Sequence, residues 1–262
     1  MLRSLKELFG YNIHAVDGEI GKVHDFYFDD DDWITRYLVV DTGPWILGRK
    51  VLLSPEALGH PDWAEEIFPV ELTREDVKGS PDVKTALPVS RQQQIALHEY
   101  YSWPRYWVPY APSSRTPVPG IPTPISSRTK IEREAVEKME QTVSHLRSAQ
   151  ELMDYTVTGK DEESLGKVDD IIINDEIWKV HYLVLDTSSW LSTGKKTLIA
   201  THWIDWIDFK DNEVHIDLPQ RVIESSPSFD PETPINRSYE EVVYDYYGKP
   251  YIWVEKETSK QN

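Results

Sequence analysis

The sequence contains no cysteine. That removes disulfides, thiol nucleophiles and thiolate metal sites together, and it suits a reducing compartment. Basic residues are scarce, 28 Lys and Arg against 45 Asp and Glu, for a formal charge of -17. Most of the surface therefore repels phosphate backbones and anionic lipid heads, and nucleic acid is not an expected partner. No run of about 18 apolar residues occurs, so no transmembrane segment is expected. The opening stretch MLRSLKELFGYNIHAVDGEIG turns polar too early for a secretory signal, and a cytoplasmic protein is expected. Gly-rich phosphate loops and the Gly-x-Ser-x-Gly nucleophile turn are missing as well.

The 262 residues do hold 39% hydrophobic side chains, with 10 Trp, 14 Tyr and 6 Phe. That is enough apolar surface for real cores, and the length fits about two domains. Their relationship is visible when the chain is slid against itself. LGKVDDIIINDEIWKVHYLVLDTSSW (165–190) falls without a gap on IGKVHDFYFDDDDWITRYLVVDTGPW (20–45). Gly21/Gly166, Asp25/Asp170, Trp33/Trp178, Tyr37/Tyr182, Asp41/Asp186 and Trp45/Trp190 are identical pairs. Upstream, KELFGY meets QELMDY; downstream, GRKVLLS meets GKKTLIA. Tyr100-Tyr101 and Trp107 fall on Tyr246-Tyr247 and Trp253, so the tails repeat too. Two copies of this length indicate homologous domains rather than a solenoid.

Within each copy the periodicity is that of β-structure. IGKVHDFYFD alternates as a half-buried strand, whereas RYLVVD and HYLVLD are continuous apolar runs that suit burial on both faces. Asp29 to Asp32 and Asn174-Asp175-Glu176 read as hairpin tips, and Asp211-Asn212 as a further turn. LKELFGY reads as one helical turn or an edge packing on the barrel. Each tail, SRQQQIALHEYY or NRSYEEVVYDYY, reads as a short aromatic helix capped by Ser90 or Asn236. Residues 103–126 hold seven Pro, which predicts an extended linker, and Ile131, Ala135, Met139, Val143 and Leu146 trace a connecting helix. The expected fold is mainly β: two small antiparallel β-barrels in tandem, each with a short helical aromatic tail, joined by a Pro-rich linker. The boundaries are 1–107, 108–143 and 144–262.

Chemistry is less plainly written. Asp41-Thr42-Gly43 and Asp186-Thr187-Ser188 resemble the doubled Asp-Thr-Gly loops of aspartic proteases, whose two carboxylates share a proton. The competing reading is that Asp and Thr end a strand and bond the turn backbone. The acidic tip at 29–32 lacks the alternating spacing and central Gly of a calcium loop, and the eight His are scattered, so no metal and no cofactor are expected. Tyr100, Tyr101, Trp103, Trp107, Tyr246, Tyr247 and Trp253 are candidate binding residues, as stacking or contact surfaces. The alternative is that they seal the barrels.

The ordered set of Asp-Gly-x-Ile-Gly-x-Val-x-Asp-Phe, Trp-x-x-Arg-Tyr-Leu-Val-Val-Asp-Thr and Gly-Arg-Lys-Val-Leu-x-Ser resembles the PRC-barrel family over residues 4–78 and 148–224. The tails and His145 to Ser148 resemble its two-copy bacterial members. That small barrel also occurs in the photosynthetic reaction-centre H subunit and in a bacterial ribosome-maturation factor. The resemblance implies an interaction module without catalytic residues of its own. A non-enzymatic scaffold with protein partners is therefore expected, its two barrels paired within the chain and its tails exchanged between them across the long linker. The alternatives are an aspartic-type hydrolase using Asp41 and Asp186, and a module docking on a ribosomal or electron-transfer assembly.

Overall fold

The alternating run before each hairpin tip becomes the longest strand of a sheet, and the shorter strands are laid along it. The computed structural model describes residues 1–46, 48–81, 89–108, 144–192 and 194–253. The strands are β1 (Leu2–Ser4), β2 (Asn12–Ala15), β3 (Gly18–Asp29), β4 (Thr35–Asp41), β5 (Lys50–Leu53), β6 (Ile67–Pro69), β7 (Leu146–Ser148), β8 (Thr156–Gly159), β9 (Ser164–Asn174), β10 (Lys179–Asp186), β11 (Lys196–Ala200), β12 (Ile204–Asp208) and β13 (Glu213–Ile216). The helices are few and short: α1 (Leu5–Leu8), α2 (Arg74–Gly79), α3 (Arg91–Tyr101), α4 (Ala149–Leu152), α5 (Gln220–Glu224) and α6 (Arg237–Tyr247). The expected linker and connecting helix fall, from residue 109 to 143, outside the described residues.

The fold is mainly β, with two sheets. One runs β5-β4-β3-β2-β6 with β7 added to β3, the other β11-β10-β9-β8-β13-β12 with β1 added to β9. Pairing is mostly antiparallel, but β2 runs parallel to β6 and β8 parallel to β13, where an all-antiparallel meander was expected. Parallel neighbours need a long connection. The chain supplies one by passing through β3, β4 and β5 before β6, and through β9 to β12 before β13. Asp211-Asn212 does turn the β12–β13 hairpin, with Asn212 at φ 58°. The continuous apolar runs are buried as their pattern predicts. Tyr37 to Val40 and Tyr182 to Leu185 are all within 1% of complete burial.

The chain forms two compact units, one of residues 1–10, 25–36 and 147–262 and the other of 11–24 and 37–146. The first holds the whole seven-stranded sheet. There β9 is hydrogen-bonded to β10 along one edge. On its other edge β8 reaches only Ser164 to Lys167, and β1 takes Ile172 to Asn174. Two hairpin tips also join in this unit: the Thr35 amide donates to the Trp178 carbonyl (2.7 Å) and the Val180 amide to the Trp33 carbonyl (2.8 Å). The second unit is centred on Ile13, Val23, Tyr37, Leu53 and Phe68, all buried. Thr73 caps α2 and Ser90 caps α3, each in a reciprocal capping box.

The tails are not exchanged. The α3 residue His98 meets Tyr37 of β4 (2.6 Å), and the α6 residue Glu240 accepts from Tyr182 of β10 (2.6 Å), so each tail lies on a strand of its own copy. The segments that leave their own copy are the short N-terminal ones, β1 with α1 and β7 with α4. A bare stretch of long strand is what they cover.

Candidate functional site

The doubled Asp-Thr does structural work in both places. Asp41 Oδ1 accepts from the Gly43 amide and Asp186 Oδ1 from the Ser188 amide, each at 2.8 Å. Thr42 Oγ1 donates to the Arg49 carbonyl (2.5 Å) and Thr187 Oγ1 to the Lys195 carbonyl (2.7 Å). The Asp carbonyls press on the glycines of the long strands. A Cβ at Gly21 would lie 2.1 Å from the Asp41 oxygen, and one at Gly166 1.9 Å from that of Asp186. Asp41 belongs to one compact unit and Asp186 to the other. Each carboxylate is committed to its own turn, as the strand-end reading has it.

The aromatic tail residues divide between latches and packing. Tyr100 Oη donates to the Asp76 carbonyl (2.9 Å) and Tyr246 Oη to the Val222 carbonyl (2.7 Å), so each ties its tail helix to the short helix before it. Tyr101 stacks on Trp103 at 4.3 Å, and burial pushes its hydroxyl up to about 12. Trp103 and Trp107 meet the His98 ring edge-on at 5.9 and 4.8 Å. Tyr247 is buried, its hydroxyl 3.3 Å from Thr197 Oγ1. The Arg91 guanidinium lies 4.6 Å over Trp107, and that of Arg237 4.0 Å over Trp253. All seven predicted residues therefore serve the seat of a tail helix. Trp253 also reaches a cleft.

That cleft belongs to the unit of residues 1–10, 25–36 and 147–262 and encloses about 960 Å³. Trp33, Ile177, Val180, Ile204, Ile252 and Trp253 line it with apolar groups, and Asp31, Asp32, Lys179, His181, His202, Arg237 and Glu240 with polar ones. The sequence positions Glu240 through the α6 cap: Asn236 accepts from the Tyr239 amide, and the first turn then directs residue 240 at β10. Glu240 is 6% exposed, accepts a hydrogen bond from the Tyr182 hydroxyl at 2.6 Å and pairs with Arg237 at 3.1 Å. Burial, then Tyr244 and Glu240, push the Tyr182 hydroxyl far up; burial likewise raises Tyr244 and Tyr247. Phenols held this way are poor bases at neutral pH. The arrangement offers an apolar wall, a stacked guanidinium and a buried carboxylate paired with that half-exposed arginine. That chemistry recognises bulky apolar groups.

Sequence reasoning missed Trp33, Ile177 and the Arg237–Glu240 pair. Trp33 and Trp178 sit at φ 62° and 53°, where a large side chain is unusual. Their identity in the two copies was the available signal.

A long strand with two partial neighbours, one of them a docked N-terminal segment, and turn-bound carboxylates at the strand ends define a small β-domain. Residues 145–223 match the PRC-barrel domain family model. No curated protein matches the chain. The matched segment ends before α6. Arg237, Glu240 and Trp253 lie beyond it, so this tail builds one wall of the cleft from outside the matched domain. Among the described residues no helix is long and apolar enough to cross a membrane.

Proposed function

We propose that the chain is a non-enzymatic interaction scaffold made of two PRC-type barrels in tandem, paired within the chain, whose second tail forms a cleft for a protein partner. The PRC-barrel match at 145–223 carries this reading, because the family model falls on the sheet that forms the cleft floor. The internal likeness of residues 20–45 to 165–190 extends it to the first copy. The two hairpin tips joined at Thr35 and Trp178 support the pairing of the copies. The partner contributes apolar side chains, since Trp253, Trp33 and Ile177 meet it first. The test is to capture binders from native lysate with the wild-type chain and with Ile177→Asp/Trp253→Ala side by side. A protein retained by the first and lost by the second supports the cleft. Identical captures by both refute it.

The family match also favours docking on a larger assembly, ribosomal or electron-transfer, as a second reading. Salt-dependent co-sedimentation with ribosomes or membranes would support that form. A chain that stays in the supernatant at every ionic strength would rule it out.

A further inference from the structure

The two N-terminal segments dock by the same contacts. On β9, Ser4 Oγ donates to Asp170 Oδ2 (2.5 Å), the Lys6 amide to Asp170 Oδ1 (3.2 Å) and Arg3 Nε to Asp175 Oδ2 (2.5 Å). On β3, Ser148 Oγ donates to Asp25 Oδ2 (2.5 Å) and the Gln150 amide to Asp25 Oδ1 (3.0 Å), while Arg147 pairs with Asp30 at 2.8 Å. The same serines cap α1 and α4, accepting from Glu7 and Glu151. Leu-Arg-Ser occurs at both places, and Glu7-Leu8 repeats as Glu151-Leu152. The ligand is thus Leu-Arg-Ser-x-x-Glu-Leu, and its receptor is a strand with one Asp on it and a second five residues on, just past its end.

Two positions differ between the ligands. Leu5 and Ala149 are both fully buried, so the sockets beneath them differ in size. Lys6 pairs with Asp169 at 2.7 Å, whereas Gln150 replaces Lys6 in the second segment and His24 replaces Asp169 on β3. A Leu-sized socket filled by Ala leaves a cavity, and Asp169 facing Gln loses a cation.

We propose that the end of β9 is a strand-docking site specific for Leu-Arg-Ser-Leu-Lys-Glu-Leu, which a second copy of this chain can fill as well as the chain itself. The result is a reciprocally exchanged dimer. The first copy is covalently joined to the second only through the stretch 108–143, and a tether of that length sets an effective concentration that a second chain competes against. Nothing in Ser4, Arg3 or Leu5 distinguishes delivery in cis from delivery in trans. Leu5 and Lys6 keep the chain's own second segment off β9.

The test uses the full chain carrying Arg3→Glu and Ser4→Ala, which loosens the resident segment and leaves β9 unchanged. Fluorescently labelled peptide MLRSLKELF should bind this variant about tenfold tighter than it binds the wild-type chain, and should raise the variant's Tm. HLRSAQELM should bind the variant at least about tenfold more weakly, and MLRALKELF likewise. Equal binding to variant and wild type, or equal binding of the two native segments, overturns the proposal. A second measurement stands if the variant does not fold. Wild-type chain refolded at rising concentration and sized by light scattering should give a dimer share that rises with concentration and that Ser4→Ala diminishes. Monomer at every concentration overturns it.

Discussion

The two tail helices rest on their strands through different buried polar groups. Under α3 the buried polar groups are Arg91, Gln94 and a neutral His98, with no carboxylate among them. The His98 ring donates from Nδ1 to the Pro104 carbonyl (2.8 Å) and so accepts the Tyr37 hydroxyl at Nε2. Gln94 is fully buried and shares its amide among Ser144, Arg91 and Tyr106. Under α6 the residue in the Gln94 position is Glu240 and that in the His98 position is Tyr244, and the strand tyrosine bonds one turn earlier, to Glu240. The surrounding fixtures are unchanged: Arg91 and Arg237 each lie over a tryptophan, and Tyr100 and Tyr246 each latch a preceding helix. The scaffold contacts are common to both copies, and the electrostatics are particular to each. Among the described residues, only the second tail places a buried carboxylate, paired with a half-exposed arginine, beside a cleft.

Breaking that charge pair should have the largest effect. Glu240→Ala leaves Tyr182 without its acceptor and Arg237 without its carboxylate, and should cost about 3 kcal/mol. Urea unfolding followed by tryptophan fluorescence measures it. Glu240→Gln turns the second tail toward the first and should cost only about 1 kcal/mol, since an amide oxygen still accepts from Tyr182. Equal losses in the two variants would mean that the charge itself, not the acceptor, holds α6.

Acid should separate the two copies. Burial, against the help of the Pro104 and Trp103 backbone, lowers His98 from 6.5 to about 4. The fold thus prefers the neutral ring. The stability this gives is complete above pH 6.5 and is lost as pH falls through that value toward 4, amounting to about 3 kcal/mol. His98→Tyr, the residue of the second copy, should flatten the stability of the chain between pH 6.5 and 4. Thermal melts across that window, with hydrogen exchange to assign the loss to residues 91–108, decide it. Loss confined to residues 237–253 would contradict the assignment. Below the ordinary carboxylate value a further loss is expected at Asp169. Its burial is outweighed by Lys196 and Lys6, so its contribution is present above about 3.8 and disappears below.

Much of this comparison was legible in the sequence. The repeat, the long strands, the doubly buried runs and the caps at Ser90 and Asn236 follow from periodicity and local chemistry. The helix-facing partners at 94 and 98 were not, because helical spacing fixes a face and not the atom a side chain meets on it. The parallel strands β6 and β13 were missed for a similar reason. Three or four residues carry an alternation but no direction. The exchanged segments were hidden because β1 and β7 have three residues each, too few to declare a strand. The buried Asp25 and Asp170 looked like the polar half of an alternating pattern. The cleft needs Trp33, Val180 and Trp253 together, and nothing local connects them.

Removing the docking serines should produce intermediate effects that are nearly equal. Ser148→Ala deletes a helix cap and a donor to buried Asp25, and Ser4→Ala does the same at α1 and Asp170; each should cost about 1 to 2 kcal/mol by denaturant unfolding. Equality is the informative outcome, because the serine bonds of the two clamps match while the tails do not.

The smallest effect is expected where the copies agree most closely. Tyr100 and Tyr246 are the two exposed tail tyrosines, at 42% and 37%, and each gives one hydrogen bond to a carbonyl near the end of a preceding short helix. The carbonyls can turn to water when the hydroxyl is lost, so Tyr100→Phe and Tyr246→Phe should each cost about 0.5 kcal/mol. Nearby cations already hold adjacent carbonyls in the same turns, Arg49 at Ser80 and Pro81 and Lys195 at Glu224 and Ser226. The double variant should therefore show additive losses. If Tyr246→Phe instead costs several times more than Tyr100→Phe, the latch is coupled to the Glu240 centre one and a half turns away. The second tail would then be a single cooperative wall of the cleft, and the resemblance between the two helices would end at their shape.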